Sequence, residues 1–249
     1  MAKQKQTLGI IGVGAFGEFM LKYVTPYFDV SIYDAHRNLE IIEDTYHLHV
    51  QSLEAVAQCD IVILCVPVKE LEKTVQDILP FLKSGQLVMD VCSVKCKPVT
   101  ILQKYIPSGV DAVSLHPLFG PQSGKNGIAG FNVTLCPVAG ERAACITEFL
   151  TQKLSLNVFE TTPEKHDQEM AYVQGLTHMI AKVFVRMNVP EIHQQTKTYA
   201  HLNDMVELIR YDSEELFLAI QRDNPYVRET TEKFFAAVKA LEEKLNASR

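Results

Sequence analysis

Apolar and polar positions follow two textures along the chain. Through residue 155 or so, short β-branched runs alternate with amphipathic stretches, the pattern of a parallel sheet joined by crossover helices. Leu8 to Val13 reads as a buried strand, Ala15 to Val24 as a helix and Val30 to Asp34 as a second strand. Asp60 to Pro67 is almost wholly apolar, as suits a central parallel strand covered on both faces. Val68, Leu71, Val75, Ile78 and Leu82 then recur at helical spacing until Ser84-Gly85. Gln86 to Val91, Ala112 to Leu115, Val133 to Cys136 and Leu156 to Glu160 complete the strand set. From Pro163 the strand-like runs vanish, and Val173, Leu176, Ile180, Val183 and Met187 recur at helical period. Asn224-Pro225 opens a last helix, with the proline where its missing N–H costs nothing and Val227, Phe234, Val238, Leu241 and Leu245 as the apolar face. The reading is an α/β domain over residues 1–161 and an all-helical domain over 162–249. A helical tail of this length needs a partner surface, so a homodimer through it is expected.

Composition narrows the function classes. With 249 residues and 47% apolar content the chain buries one large core or two smaller ones, and 22% charged residues exclude wholesale disorder. The longest apolar runs, such as Ile61 to Pro67, fall far short of the ~20 residues of a bilayer span, so no membrane partner is expected. Met1 to Gln6 lacks the apolar segment of a secretory leader. A net charge of −6 without any Lys/Arg cluster argues against nucleic acid. Cys59, Cys65, Cys92, Cys96, Cys136 and Cys145 sit mostly in apolar segments with no CxxC pair, which reads as buried thiols in a reducing cytoplasm and no metal site.

Gly12-Val-Gly14-Ala15-Phe16-Gly17 directly follows a strand and opens a helix. The first glycine permits the tight turn, the second lets backbone approach a pyrophosphate, and the third allows close helix–strand packing; the helix end supplies N–H donors for phosphate. Asp34 ends the next strand, placed to accept from ribose hydroxyls and to repel a 2′-phosphate, so NAD is expected as cofactor. His36 and Arg37 follow at once and keep NADP open. Cys65, Val66 and Pro67, at the carboxyl end of the apolar strand, are expected to border the nucleotide.

Two further segments carry chemistry. Asp90-Val-Cys-Ser93-Val-Lys95 follows one strand, and Leu115-His116-Pro117-Leu118-Phe119-Gly120-Pro121-Gln122-Ser123-Gly124 follows the next as a Gly/Pro-punctuated loop. With GVGAFG, DVCSVK, LHPLFGPQSG and EKHDQEMAYVQGLTH in this order, the chain resembles the prephenate/arogenate dehydrogenase family of tyrosine biosynthesis over residues 7 to about 220. That resemblance implies a Rossmann-type, mostly parallel sheet domain followed by a helical dimerisation domain. It also implies oxidative decarboxylation of a small-molecule substrate. His116 is then the base at the ring 4-hydroxyl, a task suited to an imidazole. Ser93 bonds the same hydroxyl or the nicotinamide side, and Lys95 supports the site or the cofactor unless it is merely solvated. Gln122 and Ser123 are expected at the substrate. So are Gln174 and His178, which lie four apart on one helix face; His166, eight before Gln174, is either on that face or structural.

One departure from the bacterial pattern stands out. Where many bacterial members carry an arginine for the ring carboxylate, this chain reads Thr196-Lys197-Thr198-Tyr199-Ala200-His201, closer to the plant-type branch. Lys197, helped by Thr196, is expected to supply the cation, with His201 in reserve; a lysine offers a point charge instead of a bidentate fork. Asp212 matches an acidic plant-type position and would pair with the ammonium of arogenate, or else cap a helix. Arogenate is the expected substrate and prephenate the alternative. No mutase module precedes the glycine motif and no regulatory domain follows the helices, so a monofunctional enzyme is expected. A hydroxyacid dehydrogenase would put a catalytic lysine or glutamate where Gln174 and His178 stand, and a non-catalytic NAD sensor would have lost Ser93, His116 and His178.

Overall fold

The computed structural model describes residues 5–247; Met1 to Gln4, part of the leader reading above, and the last two residues lie outside it. The chain divides into two units, Met1–Pro163 and Glu164–Arg249. In the first unit, eight strands form one sheet: β1 (Thr7–Ile11), β2 (Asp29–Tyr33), β3 (His49–Val50), β4 (Ile61–Leu64), β5 (Leu87–Asp90), β6 (Asp111–Pro117), β7 (Asn132–Ala139) and β8 (Asn157–Glu160). They lie in the order β3-β2-β1-β4-β5-β6-β7-β8. Every neighbouring pair is parallel except β6 with β7, which run antiparallel. β4 and β5 are buried at every position, which explains their unbroken apolar sequence.

Six helices join these strands: α1 (Ala15–Val24), α2 (Glu40–Tyr46), α3 (Leu53–Ala57), α4 (Val68–Ile78), α5 (Cys96–Tyr105) and α6 (Ala143–Leu154). Val68, Leu71, Val75 and Ile78 are the buried face of α4, as their spacing predicts. The helix stops short of Leu82 and tightens into a 3₁₀ turn over Leu79–Phe81, because Pro80 has no N–H to continue the ladder. The short helices α2 and α3 and the two-residue β3 carry too few periodic positions to register in the sequence.

The second unit is all helical: α7 (which begins at the boundary, Pro163–Met170), α8 (Thr177–Arg186), α9 (Lys197–Ile209), α10 (Glu214–Leu218) and α11 (Val227–Ala247). Two π-helical turns interrupt it, Ala171–Leu176 between α7 and α8 and Ala219–Asp223 after α10. They pack together, and Gln221 Nε2 donates to the Gly175 carbonyl at 2.9 Å. The expected helix through Val173 and Met187 therefore carries a π turn that shifts its winding, and the predicted face is only partly used: Val173, Val183 and Met187 are exposed. The last helix also starts later than predicted. Asn224 Oδ1 accepts from Tyr226 N at 2.9 Å, and its Nδ2 donates to the Asp167 carbonyl at 2.8 Å, so Asn224-Pro225 is a turn anchored by the buried Asn224 side chain, and α11 begins at Val227.

Candidate active site

The glycine turn does what its spacing asks. Gly12 adopts φ +92°, and a Cβ there would sit 2.7 Å from the Cys65 carbonyl, so only glycine fits. A Cβ on Gly17 would meet the Gly12 carbonyl at 2.3 Å, the close helix–turn approach of the third glycine. A Cβ on Gly14 would meet nothing within 4 Å, leaving space above the amino end of α1 where Gly14 and Ala15 are exposed and Phe16 is half-buried. That open cradle fits a dinucleotide pyrophosphate.

Asp34 stands at the end of β2, where Oδ2 accepts from Val13 N at 2.7 Å and Oδ1 from His36 N at 2.9 Å and Arg37 N at 3.0 Å. Partial burial pushes its carboxyl up, but the N–H donors of His36, Val13 and Arg37 outweigh that and hold it below the usual carboxylate range. An ionised carboxylate with three N–H partners keeps capacity for a ribose hydroxyl. Arg37 Nη1 is held by the Val13 carbonyl and by Glu18, both at 2.7 Å. Cys65 and Val66 border the turn, with Cys65 N bonded to the Ile11 carbonyl at 2.8 Å, and Pro67 precedes α4. Burial pushes the Cys65 thiol up to about 12, so it is a neutral wall group and not a nucleophile.

Further along the same sheet edge, β5 and β6 pair Asp90 with Ser114. Ser93 lies three residues beyond the first and His116 two beyond the second, which places both at the carboxyl ends of adjacent strands, where open α/β sheets bind ligands. His116 is not a loop residue as expected: β6 runs to Pro117, and His116 is a buried strand position opposite Thr134. The loop begins after it. There Ser123 Oγ accepts from Gly120 N at 3.0 Å and donates to the Gly120 carbonyl at 3.2 Å, closing the loop's own turn, while Gln122 is exposed.

Lys95 is not solvated but 0% exposed, with Nζ donating to Asp90 Oδ1 at 2.7 Å, Ser114 Oγ at 2.8 Å and the Leu115 carbonyl at 2.6 Å. Ser114 in turn donates to Asp90 Oδ2, and Cys92 N to Asp90 Oδ1 at 2.9 Å. One buried ion pair thus fastens the Ser93 segment to the residue before His116. Asp90 and Ser114 were not singled out in the sequence; an Asp and a Ser inside apolar strands were the available signal.

In the helical unit, His178 and Asp212 come together, with Nε2 to Oδ2 at 3.1 Å. Nδ1 of the same ring faces the Gln174 carbonyl at 3.0 Å, and a carbonyl only accepts, so Nδ1 carries a hydrogen. Both ring nitrogens therefore face acceptors. Asp212 is not a helix cap: Ser213 caps α10, its hydroxyl accepting from Leu216 N at 3.1 Å. Lys182, one turn beyond His178, was missed; its Nζ donates to the Asp212 carbonyl at 3.0 Å. Its i+4 spacing from His178 was the signal. Thr196 caps α9 through Tyr199 N at 3.1 Å, and Lys197 and His201 are exposed on that helix. His166 is buried, its Nδ1 2.8 Å from Asp167 Oδ1, and counting eight residues to Gln174 fails because the π turn intervenes.

Comparison with known proteins places both units. A model described as prephenate dehydrogenase, nucleotide-binding domain, matches residues 29–158, and one described as prephenate dehydrogenase, dimerization domain, matches residues 162–249. Arogenate dehydrogenase 2, chloroplastic, of Arabidopsis thaliana is 32% identical over 195 residues, 75% of this chain and 54% of that protein. Arogenate dehydrogenase 1, chloroplastic, of the same plant is 27% identical over 251 residues, 96% of this chain and 39% of that protein. The chain thus spans about half or less of the length of these relatives. Among solved structures, prephenate dehydrogenase from A. aeolicus, in complex with hydroxyphenyl propionate and NAD+, shares the fold with a TM-score of 0.77 at 21% identity, over 100% of this chain and 93% of that one. Synechocystis arogenate dehydrogenase does so with a TM-score of 0.71 at 18% identity, over 97% and 92%. Matched in both its sheet unit and its helical unit, the chain belongs to the prephenate dehydrogenase family.

Proposed function

We propose that the protein oxidatively decarboxylates arogenate to tyrosine with NAD+, His116 acting as base. The observation that carries this reading is a glycine turn with its ionised Asp34 on the same sheet edge as His116 and Ser93. NAD+, when bound, supplies the hydride acceptor. His116 takes the 4-hydroxyl proton as the hydride leaves C4; the C1 carboxylate then departs as CO2, its bonding pair aromatises the ring, and the imidazolium returns the proton to the phenolate oxygen. Ser93 orients that hydroxyl. Asp34 favours NAD+ over NADP+, since a 2′-phosphate would face a carboxylate and Arg37 is already engaged by Glu18. In the helical unit, Lys197 with Thr196 takes the ring carboxylate, and Gln174 and His178 face the substrate.

Asp212 supports arogenate over the keto acid prephenate. Its carboxylate, paired with His178 through one oxygen, keeps acceptor capacity for a substrate ammonium. Steady-state turnover with both substrates and both nucleotides tests this, on wild type and Asp212→Asn. Arogenate is expected to win by roughly tenfold or more, a preference that the variant erodes. If prephenate wins, the substrate assignment falls and the His116 assignment stands; if neither turns over, the dehydrogenase reading falls.

We infer further that two copies pair through the helical unit. Phe235, Val238, Leu241 and Leu245 expose one apolar stripe on α11, the last two at 62% and 69%, and Tyr172, Val173 and Met187 add exposed apolar surface on the same unit. No described helix is long and apolar enough to cross a membrane, so that surface does not mark a span. Sedimentation of the Leu241→Glu/Leu245→Glu double variant is expected to give a monomer where wild type gives a dimer. A dimer in both would assign the interface elsewhere.

A further inference from the structure

Asp212 lies in the short link, residues 210–213, between α9 and α10, and a carboxylate on a link swings with its backbone unless both are held. Two side chains of α8 hold it. His178 meets Oδ2 of the carboxylate at 3.1 Å, and one turn further along the helix Lys182 Nζ donates to the Asp212 carbonyl at 3.0 Å. The two residues are four apart on one helix face, so a single rigid element fixes the side chain and the main chain together. From the end of α9, the Ile209 carbonyl accepts from Asp212 N at 2.9 Å. These contacts occupy the main-chain N–H, the main-chain carbonyl and Oδ2, and they leave Oδ1 as an acceptor on a side chain that is still 28% exposed.

Lys182 is itself confined. It is half-buried, and its ammonium stands 5.9 Å from the centre of the Phe217 ring on α10. A lysine serving only the surface would extend into water. This one reaches from α8 to the link and to the helix that follows it.

We propose that Lys182 is a positioning residue for substrate choice: by holding the Asp212 main chain, it keeps the carboxylate aimed where Oδ1 meets a substrate ammonium. This deepens the assignment of Asp212 to the ammonium of arogenate and rests on it. The physical gain is preorganisation. A carboxylate already fixed at main chain and side chain loses little freedom when the ammonium arrives, whereas one on a loose link would have to be ordered at that moment. The keto group of prephenate brings no cation, so the fixing favours one substrate over the other. A direct contact between the Lys182 ammonium and a substrate carboxylate is the competing role.

A double-mutant cycle between Lys182→Met and Asp212→Asn separates the two, read as kcat and KM for arogenate and for prephenate. Methionine keeps the stem beside Phe217 and removes the donor. Lys182→Met alone is expected to raise KM for arogenate roughly fivefold, within the range for one hydrogen bond, while kcat holds. In the Asp212→Asn background the same change is expected to move that KM by less than about twofold, because its target is gone. Lys182→Arg, which restores a donor, should recover most of the loss. Equal effects in both backgrounds would make Lys182 a substrate contact or a support of the fold, and no effect in wild type would leave it without a role; either result overturns the proposal. If Asp212→Asn leaves the arogenate preference intact, the substrate assignment falls and takes this proposal with it, an outcome visible without any Lys182 variant.

Discussion

His116→Asn is expected to lower turnover by about 10²–10⁴-fold, the range for removing a positioned general base, while NAD+ affinity stays within about twofold of wild type. Asparagine is smaller but stays polar and keeps a hydrogen-bonding edge at a buried position of β6 opposite Thr134, so the backbone strand pairing persists and the change removes the imidazole. The glycine turn and Asp34 lie at the ends of β1 and β2, separated from β6 by β4 and β5, which is why nucleotide binding is spared. Isothermal titration with NAD+ beside single-turnover kinetics reads both quantities. Retained turnover would remove His116 from the proton-transfer step. Equal loss of both would mean that the residue holds the sheet edge together instead of moving a proton.

Lys95→Met has the largest expected effect on stability, about 3–5 kcal/mol by urea unfolding, the usual cost of leaving one buried charge without its counter-ion. Methionine fills the space of the lysine stem but leaves Asp90 buried without the ammonium, and Ser114 and the Leu115 carbonyl lose their shared donor. Lys95→Met/Asp90→Asn should recover part of the loss, because the uncompensated charge is removed while the packing stays. A cost below about 1 kcal/mol for the single variant, as for an exposed pair, would show that Lys95 is not bound as described. Because Leu115 precedes His116 directly, the single variant should also depress turnover at temperatures where it remains folded.

Much of this was legible in the chain because the sheet unit obeys local rules. DIVILCVP reads as a central strand since both of its faces are covered, and GVGAFG reads as a nucleotide turn since each glycine answers a separate steric demand, two of them visible at Gly12 and Gly17. What escaped depends on contacts distant in sequence. Nothing near Lys95 announces that its ammonium is buried between two strands; the Asp90–Ser114 pairing that receives it is set by the register of β5 and β6. Asp212 and Ser213 are equally good caps on paper, and the His178 ring, 34 residues away, decides between them by taking the Asp212 carboxylate. Asn224 behaves likewise: its side chain bonds the Asp167 backbone 57 residues away and delays α11. The apolar period through Val173 and Met187 is blind to a π turn, since the same residues suit either winding.

That π turn also restricts how the gene can change. An α-helix advances about 100° per residue, so deleting or inserting one codon between those for Met170 and Thr177 would swing the His178 ring to another side of the helix, away from Asp212. It would also unseat the Gly175 carbonyl from Gln221. Substitutions at the exposed Tyr172 and Val173 can be absorbed one at a time, whereas a change in the length of Ala171–Leu176 displaces every side chain downstream together. Among descendants of this sequence, that stretch should stay fixed in length, drifting in composition only at Tyr172 and Val173, with indels gathering in the exposed stretch between α8 and α9 instead.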